Sequence, residues 1–265
     1  MDNIKFIVII GIAVMLLFLA SLLIAFIIAQ RKKLKYQRDL QQLRETQHNQ
    51  LIEAAVRSEE TERHRIAEAL HDEVGAILSS SKLHLQGIKS TNLDERDKQL
   101  YEKGKELLDE GIKKVRGISH NLHSNILKEF GLNEAIRDFL NKLTQASLIK
   151  ATTDLDNNYI TKNPENDISI YRMVQELVNN ILKHANAKEI KVHSNYTGRL
   201  LELTISHNGK GLTQQQFEEL RYNKDGMGLK NIQNRVILLR GTIEFSADDN
   251  QSRININIPL NSTAL

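Results

Sequence analysis

The feature that most constrains this chain is the run from Phe6 to Ala29: 24 residues without a charged side chain, broken only by Gly11 and Ser21. As a helix rising 1.5 Å per residue it would extend roughly 36 Å, enough to cross a hydrocarbon core about 30 Å thick with some tilt. A secretory signal has a shorter apolar stretch, about 7–15 residues, and a small-residue cleavage site; neither fits here. Arg31, Lys32, Lys33 and Lys35 follow the run at once, whereas Lys5 before it is balanced by Asp2. The positive-inside rule then predicts a single-pass anchor in the cell membrane, with the rest of the chain cytoplasmic.

The 36 Lys and Arg residues stand against 33 Asp and Glu, a net charge of +3, which the basic cluster alone exceeds. No soluble stretch accumulates positive charge, so direct nucleic-acid contact is not expected. There is no cysteine, which excludes disulfides, thiolate zinc sites and cysteine nucleophiles. Two prolines among 265 residues favour long uninterrupted helices.

The expected fold class is α plus α/β, in four segments: a transmembrane helix at 6–29, a helical linker at 30–60, a helical hairpin at 61–129 and a two-layer α/β sandwich at 130–262. In the hairpin, Ile66, Ala67, Leu70, Val74, Ile77, Leu78 and Leu85 recur at three- and four-residue steps. A polar turn over 90–94 leads to a second stripe through Leu107, Leu108, Ile112, Val115 and Leu122. Two such helices leave apolar faces that a second chain can bury as a four-helix bundle, which predicts a homodimer. Beyond Gly131 a helix over 132–148 is expected. Leu201, Leu203 and Ile205, and later Ile254, Ile256 and Ile258, then alternate with polar residues as half-buried strands do. Ile190 with Val192 and Ile243 with Phe245 mark two more strands, and helical periods run through 168–184 and 229–239. A sheet covered on one face by helices is the expected arrangement.

Several residues on this frame can do chemistry. His71 and Asp72 point away from the Leu70–Val74–Ile77 stripe, so an imidazole with a neighbouring carboxylate faces outward. The carboxylate can hold one ring nitrogen protonated and leave the other as a nucleophile. Along 171–184, Glu176, Asn180 and Lys183 or His184 share a second face. An amide with cations beside it suits a magnesium-bound triphosphate: Asn180 as an oxygen ligand to Mg2+, Lys183 and His184 toward phosphate charge. Asn208-Gly209-Lys210-Gly211 follows a strand, and Gly226-Met227-Gly228-Leu229 opens a helix, where backbone amides can meet phosphate. His84, His120 and His123 lie on or near helical faces and read as packing or surface residues.

In this order the motifs resemble two-component sensor histidine kinases of the nitrate-sensor and membrane-fluidity-sensor subfamily, over roughly Glu60 to Leu260. The segment Arg63-His64-Arg65-Ile66-Ala67-Glu68-Ala69-Leu70-His71-Asp72 is similar to that subfamily's acceptor helix. The carboxyl-terminal part is similar to the ATP-binding domain shared with gyrase-type and Hsp90-type ATPases. The resemblance implies ATP-dependent phosphorylation of His71 with Asp72 as its acid/base partner. It implies transfer onward to an aspartate of a cytoplasmic response regulator. It also implies a nucleotide site of Glu176, Asn180, Lys183, His184, His207, Gly209, Gly211, Gly226, Gly228 and Leu229, with ATP and Mg2+ as cofactors and 212–225 as a short lid. Only about five residues precede the span, so no external sensor domain is expected. A stimulus would come through the span, another membrane protein or the cytoplasm.

The chain departs from the family pattern twice. His207 stands where the family has an aspartate that accepts the adenine amino group. Losing a charge-assisted hydrogen bond costs roughly 1.5–3 kcal/mol, about 10- to 150-fold in affinity. The alternative reading is therefore a catalytically impaired docking module. Ala76 replaces the glutamine that positions water for removing phosphate from the regulator, which implies poor phosphatase activity.

Overall fold

The computed structural model describes residues 2–88, 94–122, 125–146, 148–160, 163–222, 227–248 and 251–260. The chain divides into two compact units, Met1–Leu51 and Ile52–Leu265. Helix α1 (Asp2–Ala69) begins in the first unit. Its apolar part is long and apolar enough to cross a membrane by length and composition. An 18-residue window there has a mean hydropathy of 1.8, and none of it is buried by protein.

The second unit opens with Ile52 and Val56 buried, although both lie in the segment expected to be linker. At Leu70–Val74 the α-helical ladder loosens into a π-helical turn, closed by the Gly75 amide donating to the Leu70 carbonyl, before α2 (Gly75–Gln86) resumes. Such single-turn insertions recur at functional sites. The stripe through Leu70, Val74 and Ile77 is not covered within one chain: Val74 is 37% and Ile77 65% exposed. Helix α3 (Glu95–Leu122) packs on α2, with Lys82 Nζ 2.5 Å from Asp109 Oδ1. Ser119, itself buried, donates to the Ala67 carbonyl at 2.9 Å and ties the end of α3 to α1. Of the turn expected over 90–94, residues 90–93 lie outside the described residues, as does His123.

Helix α4 (Asn125–Ala146) is bent at Gly131, whose φ of 82° a side chain would strain. Then follow β1 (Lys150–Asp154), α5 (Pro164–His184), β2 (Glu189–Tyr196), β3 (Leu200–His207), α6 (Gln214–Leu220), α7 (Met227–Leu238), β4 (Thr242–Ala247) and β5 (Ser252–Pro259). The strands form one sheet in the order β1-β2-β3-β5-β4, with β1 parallel to β2 and the remaining pairs antiparallel. Period-two alternation sends Ile190, Val192, Leu203, Ile205, Ile254 and Ile256 to one buried face. There they meet Ile136 and Leu140 of α4, Ile170, Val174 and Leu177 of α5, and Ile232 of α7. The opposite face carries Lys191, His193, Glu202, Thr204 and Arg253. Two layers result, helices on one face only.

Helix α5 is started by Asn163, whose side chain accepts the Glu165 amide, with Pro164 at the first helical position. Helix α6 was not anticipated, because 212–225 reads as a polar stretch. Thr213 and Gln216 form a reciprocal capping box at its start. Phe217 is fully buried and stacks on Phe245 at 4.5 Å, so most of the expected lid is folded onto the sheet. Residues 223–226, with Gly226, lie outside the described residues.

Candidate functional site

His71 lies in the π-helical turn with its side chain 72% exposed and Asp72 75% exposed. Nδ1 of the ring is 2.9 Å from Asp72 Oδ1. A carboxylate accepts, so Nδ1 is the donor in this contact, and Nε2 is the ring nitrogen not engaged by Asp72.

A cavity of about 900 Å³ opens between the carboxyl-terminal half of α5, the ends of β3 and β5, β4 and the start of α7. Glu176, Asn180, Lys183, His184, His207, Gly211, Gly228 and Leu229 all line it, and Lys210 joins them. The helical steps that put Glu176, Asn180 and Lys183 on one face therefore bring them to one wall. Among the described residues no group of three or more His, Cys, Asp or Glu side chains could hold a metal by itself. Asn180 fits the lesser demand of Mg2+ on a triphosphate, which keeps waters and takes few protein ligands.

The glycines answer first to the protein itself. A methyl group at Gly209 would strike the Ala185 carbonyl oxygen, and one at Gly228 would strike the Glu176 carboxylate. Close approach is needed because the turn after β3 is laced to the end of α5 and the start of β2. Lys210 N donates to the Ala185 carbonyl at 2.8 Å, and Asn208 Oδ1 accepts the amides of Lys188 and Glu189 at 2.9 and 3.0 Å. Gly228 seats Glu176 against the start of α7. Ser252 Oγ donates to the Gly209 carbonyl at 3.1 Å.

His207 is only 5% exposed and ends β3 opposite Ser252. Its Nδ1 accepts the Gly209 amide at 3.3 Å, and burial holds the imidazole below its ordinary pKa, in the neutral form.

Sequence reasoning missed a second polar cluster. Arg172 of α5, whose side chain is 4% exposed, reaches both Glu60 carboxylate oxygens at 2.6 and 3.0 Å. It also donates to the carbonyls of Asn121 and Leu122 at 3.1 and 2.6 Å, at the end of α3. Arg235 of α7 meets Glu59 at 3.0 Å and is equally buried, with Nη1 lacking a partner among the described residues. The available signal was an arginine at an apolar position of the α5 stripe, between Ile170 and Met173. Apart from Gln175, its partners Glu60, Asn121 and Leu122 lie 50 or more residues away, where spacing carries no information.

Comparison with known proteins places both regions. Residues 62–127 match the family model described as Histidine kinase, and residues 165–262 match Histidine kinase-, DNA gyrase B-, and HSP90-like ATPase. The chain is 30% identical over 203 residues to Sensor protein VraS of Staphylococcus haemolyticus, covering 76% of this chain and 56% of the relative. It is 27% identical over 212 residues to Sensor histidine kinase MctS of Rhizobium johnstonii, covering 79% and 45%. The chain thus spans about half the length of the curated relatives it matches. Among solved structures, the histidine kinase domain of the Erythrobacter litoralis EL346 blue-light activated histidine kinase aligns over 71% of this chain and 94% of its own. That match has 14% identity and a TM-score of 0.46.

Proposed function

We propose, for a chain that belongs to the histidine kinase family, a membrane-anchored sensor kinase that phosphorylates itself on His71 and passes the phosphoryl group to a response-regulator aspartate. The observation that carries the reading is the His71–Asp72 pair, a 2.9 Å contact held outward in a π-helical turn on a chain that also has an ATPase-type cavity.

In the first step His71 Nε2 attacks the γ-phosphorus of ATP. The N–P bond forms as the bond from that phosphorus to the bridging oxygen breaks, and ADP leaves with the bond electrons. The Nδ1 proton stays in its hydrogen bond to Asp72, whose negative charge balances the positive charge that the ring acquires. In the second step a regulator carboxylate oxygen takes the phosphoryl group and the imidazole regains its lone pair.

Asn180 would hold Mg2+ against the triphosphate, where the metal supplies charge neutralisation. Lys183, His184 and Lys210 would face phosphate oxygens, with Gly228 at the amino end of α7 and Gly226 two positions before it in the sequence. His207, Gly209, Gly211 and Leu229 would complete the nucleotide site. The exposed Val74 and Ile77 favour a homodimer that buries this stripe in a four-helix bundle. The basic cluster after Ala29 favours a single-pass anchor with the remaining segments (61–129 for acceptor and dimerisation, 130–262 for catalysis) in the cytoplasm.

The test is to incubate the full chain in detergent micelles with γ-labelled ATP and magnesium, beside His71→Gln and Asn180→Ala. Acid-labile, alkali-stable label is expected on the parent and on neither variant. Label surviving in His71→Gln would mean a different acceptor.

A further inference from the structure

The cavity's walls differ in chemistry. The end of α5 and the turn after β3 bring Asn180, Lys183 and Lys210, whereas the sheet and the segment before α6 bring Leu212, Phe245 and Ile254. Phosphate charge belongs against the cations, and a flat heterocycle belongs against the apolar wall. His207 is on that second wall. It sits on the same sheet face as Ile205 and opposite Ser252, two residues from Ile254 along β5.

The hydrogen bonding of the ring fixes what it can offer. Nδ1 is occupied as an acceptor by the Gly209 amide at 3.3 Å. A neutral imidazole carries one proton, which therefore sits on Nε2. Among the described residues no group accepts from Nε2, and Nε2 is not one of the fully enclosed atoms that lack a partner. The N–H is thus left for whatever fills the cavity. Once a base fills the cavity and cuts this N–H off from water, leaving it unmet costs about 1–3 kcal/mol, so a ligand bringing an acceptor to it is selected over one bringing another donor. On a purine the 6-amino group is a donor and the 6-oxo group an acceptor.

We propose that His207 is the base-specificity residue of this site and faces position 6 of the purine, so that a 6-oxopurine nucleoside triphosphate, whose 6-substituent accepts, binds at least as tightly as ATP, whose 6-amino group donates. The proposal rests on the nucleotide-site reading above and deepens it. Because Gly209 holds the ring from behind, His207 cannot flip to present a lone pair without giving up its hydrogen bond to the turn.

The experiment is equilibrium competition of ATP and inosine triphosphate against a fluorescent ATP analogue, using the full chain in detergent micelles with magnesium. The parent and His207→Asp are compared, and their folding is checked by circular dichroism. The expected result is a Kd ratio, inosine triphosphate over ATP, of one or less in the parent, rising at least tenfold in His207→Asp. A parent ratio above one overturns the proposal whether or not the variant folds, and so does a ratio that the substitution leaves unchanged. Absence of any analogue binding overturns the nucleotide-site reading and this proposal with it.

Discussion

The guanidinium of Arg172 grips both carboxylate oxygens of Glu60, 112 positions earlier in the chain, at 2.6 and 3.0 Å with the arginine side chain 4% exposed. It thereby joins the helix that leads into His71 to the helix that carries Glu176 and Asn180. The same guanidinium also serves the Asn121 and Leu122 carbonyls and the Gln175 side-chain oxygen, so its removal orphans five acceptors together. Arg172→Met is expected to destabilise the second unit by about 3 kcal/mol, within the range for breaking a buried pair. Urea unfolding followed by circular dichroism measures it; a change under about 1 kcal/mol would show that the pair adds little.

Asp72 acts on His71 through the Nδ1 hydrogen bond of 2.9 Å. Asp72→Asn keeps the size but loses the charge that balances the phosphorylated ring. Single-turnover labelling should slow by about 100-fold, at the low end for a positioned acid/base group, with nucleotide Kd unchanged.

The glycines differ in what they meet. At Gly209 an added methyl confronts backbone, which cannot step aside; at Gly228 it confronts the end of the Glu176 side chain, which can. Gly209→Ala should therefore lower the melting temperature markedly, whereas Gly228→Ala should leave it nearly unchanged while weakening ATP binding by displacing Glu176. Thermal melts and nucleotide titrations on the same samples separate the two effects.

Burial lowers the His207 pKa from an ordinary 6.5. A folded state that disfavours the protonated ring binds fewer protons than the unfolded chain just below that value. Its stabilising share is thus complete above about pH 6.5 and is lost as pH falls toward the lower folded value, with a slope of at most about 1.4 kcal/mol per pH unit. His207→Gln should flatten this part of the stability curve between pH 7 and 5, as measured by urea unfolding at each pH.

Phe217 tests whether the segment before α7 is a loose cover or part of the core. It is fully buried and stacked on Phe245. Phe217→Ala should cost about 3–5 kcal/mol, as large-to-small changes in a packed core do. A loss below 1 kcal/mol would mean that α6 contributes little to the fold.

Local pattern made much of this protein legible. The strands through Leu203, Ile205, Ile254 and Ile256 alternate strictly because one face of the sheet is buried and the other is wet. The wall of Glu176, Asn180 and Lys183 was readable because helical steps of four and three impose a common face. Helix α6 escaped because only Phe217 marks its buried side, in seven residues otherwise polar apart from Leu220. The π-helical turn at Leu70–Val74 escaped because no residue type there demands it.

By itself the sequence determined the apolar span, the outward His71–Asp72 pair and the order of helices, strands and glycine turns, since each depends on residues within a few turns of one another. The tertiary structure alone decided that Arg172 finds Glu60, that Gly228 lies against Glu176, and that the Gly209 amide engages His207 Nδ1 beside the cavity. Those depend on which distant groups share one desolvated space, where an unmet hydrogen bond is costly, and chain spacing does not encode that proximity.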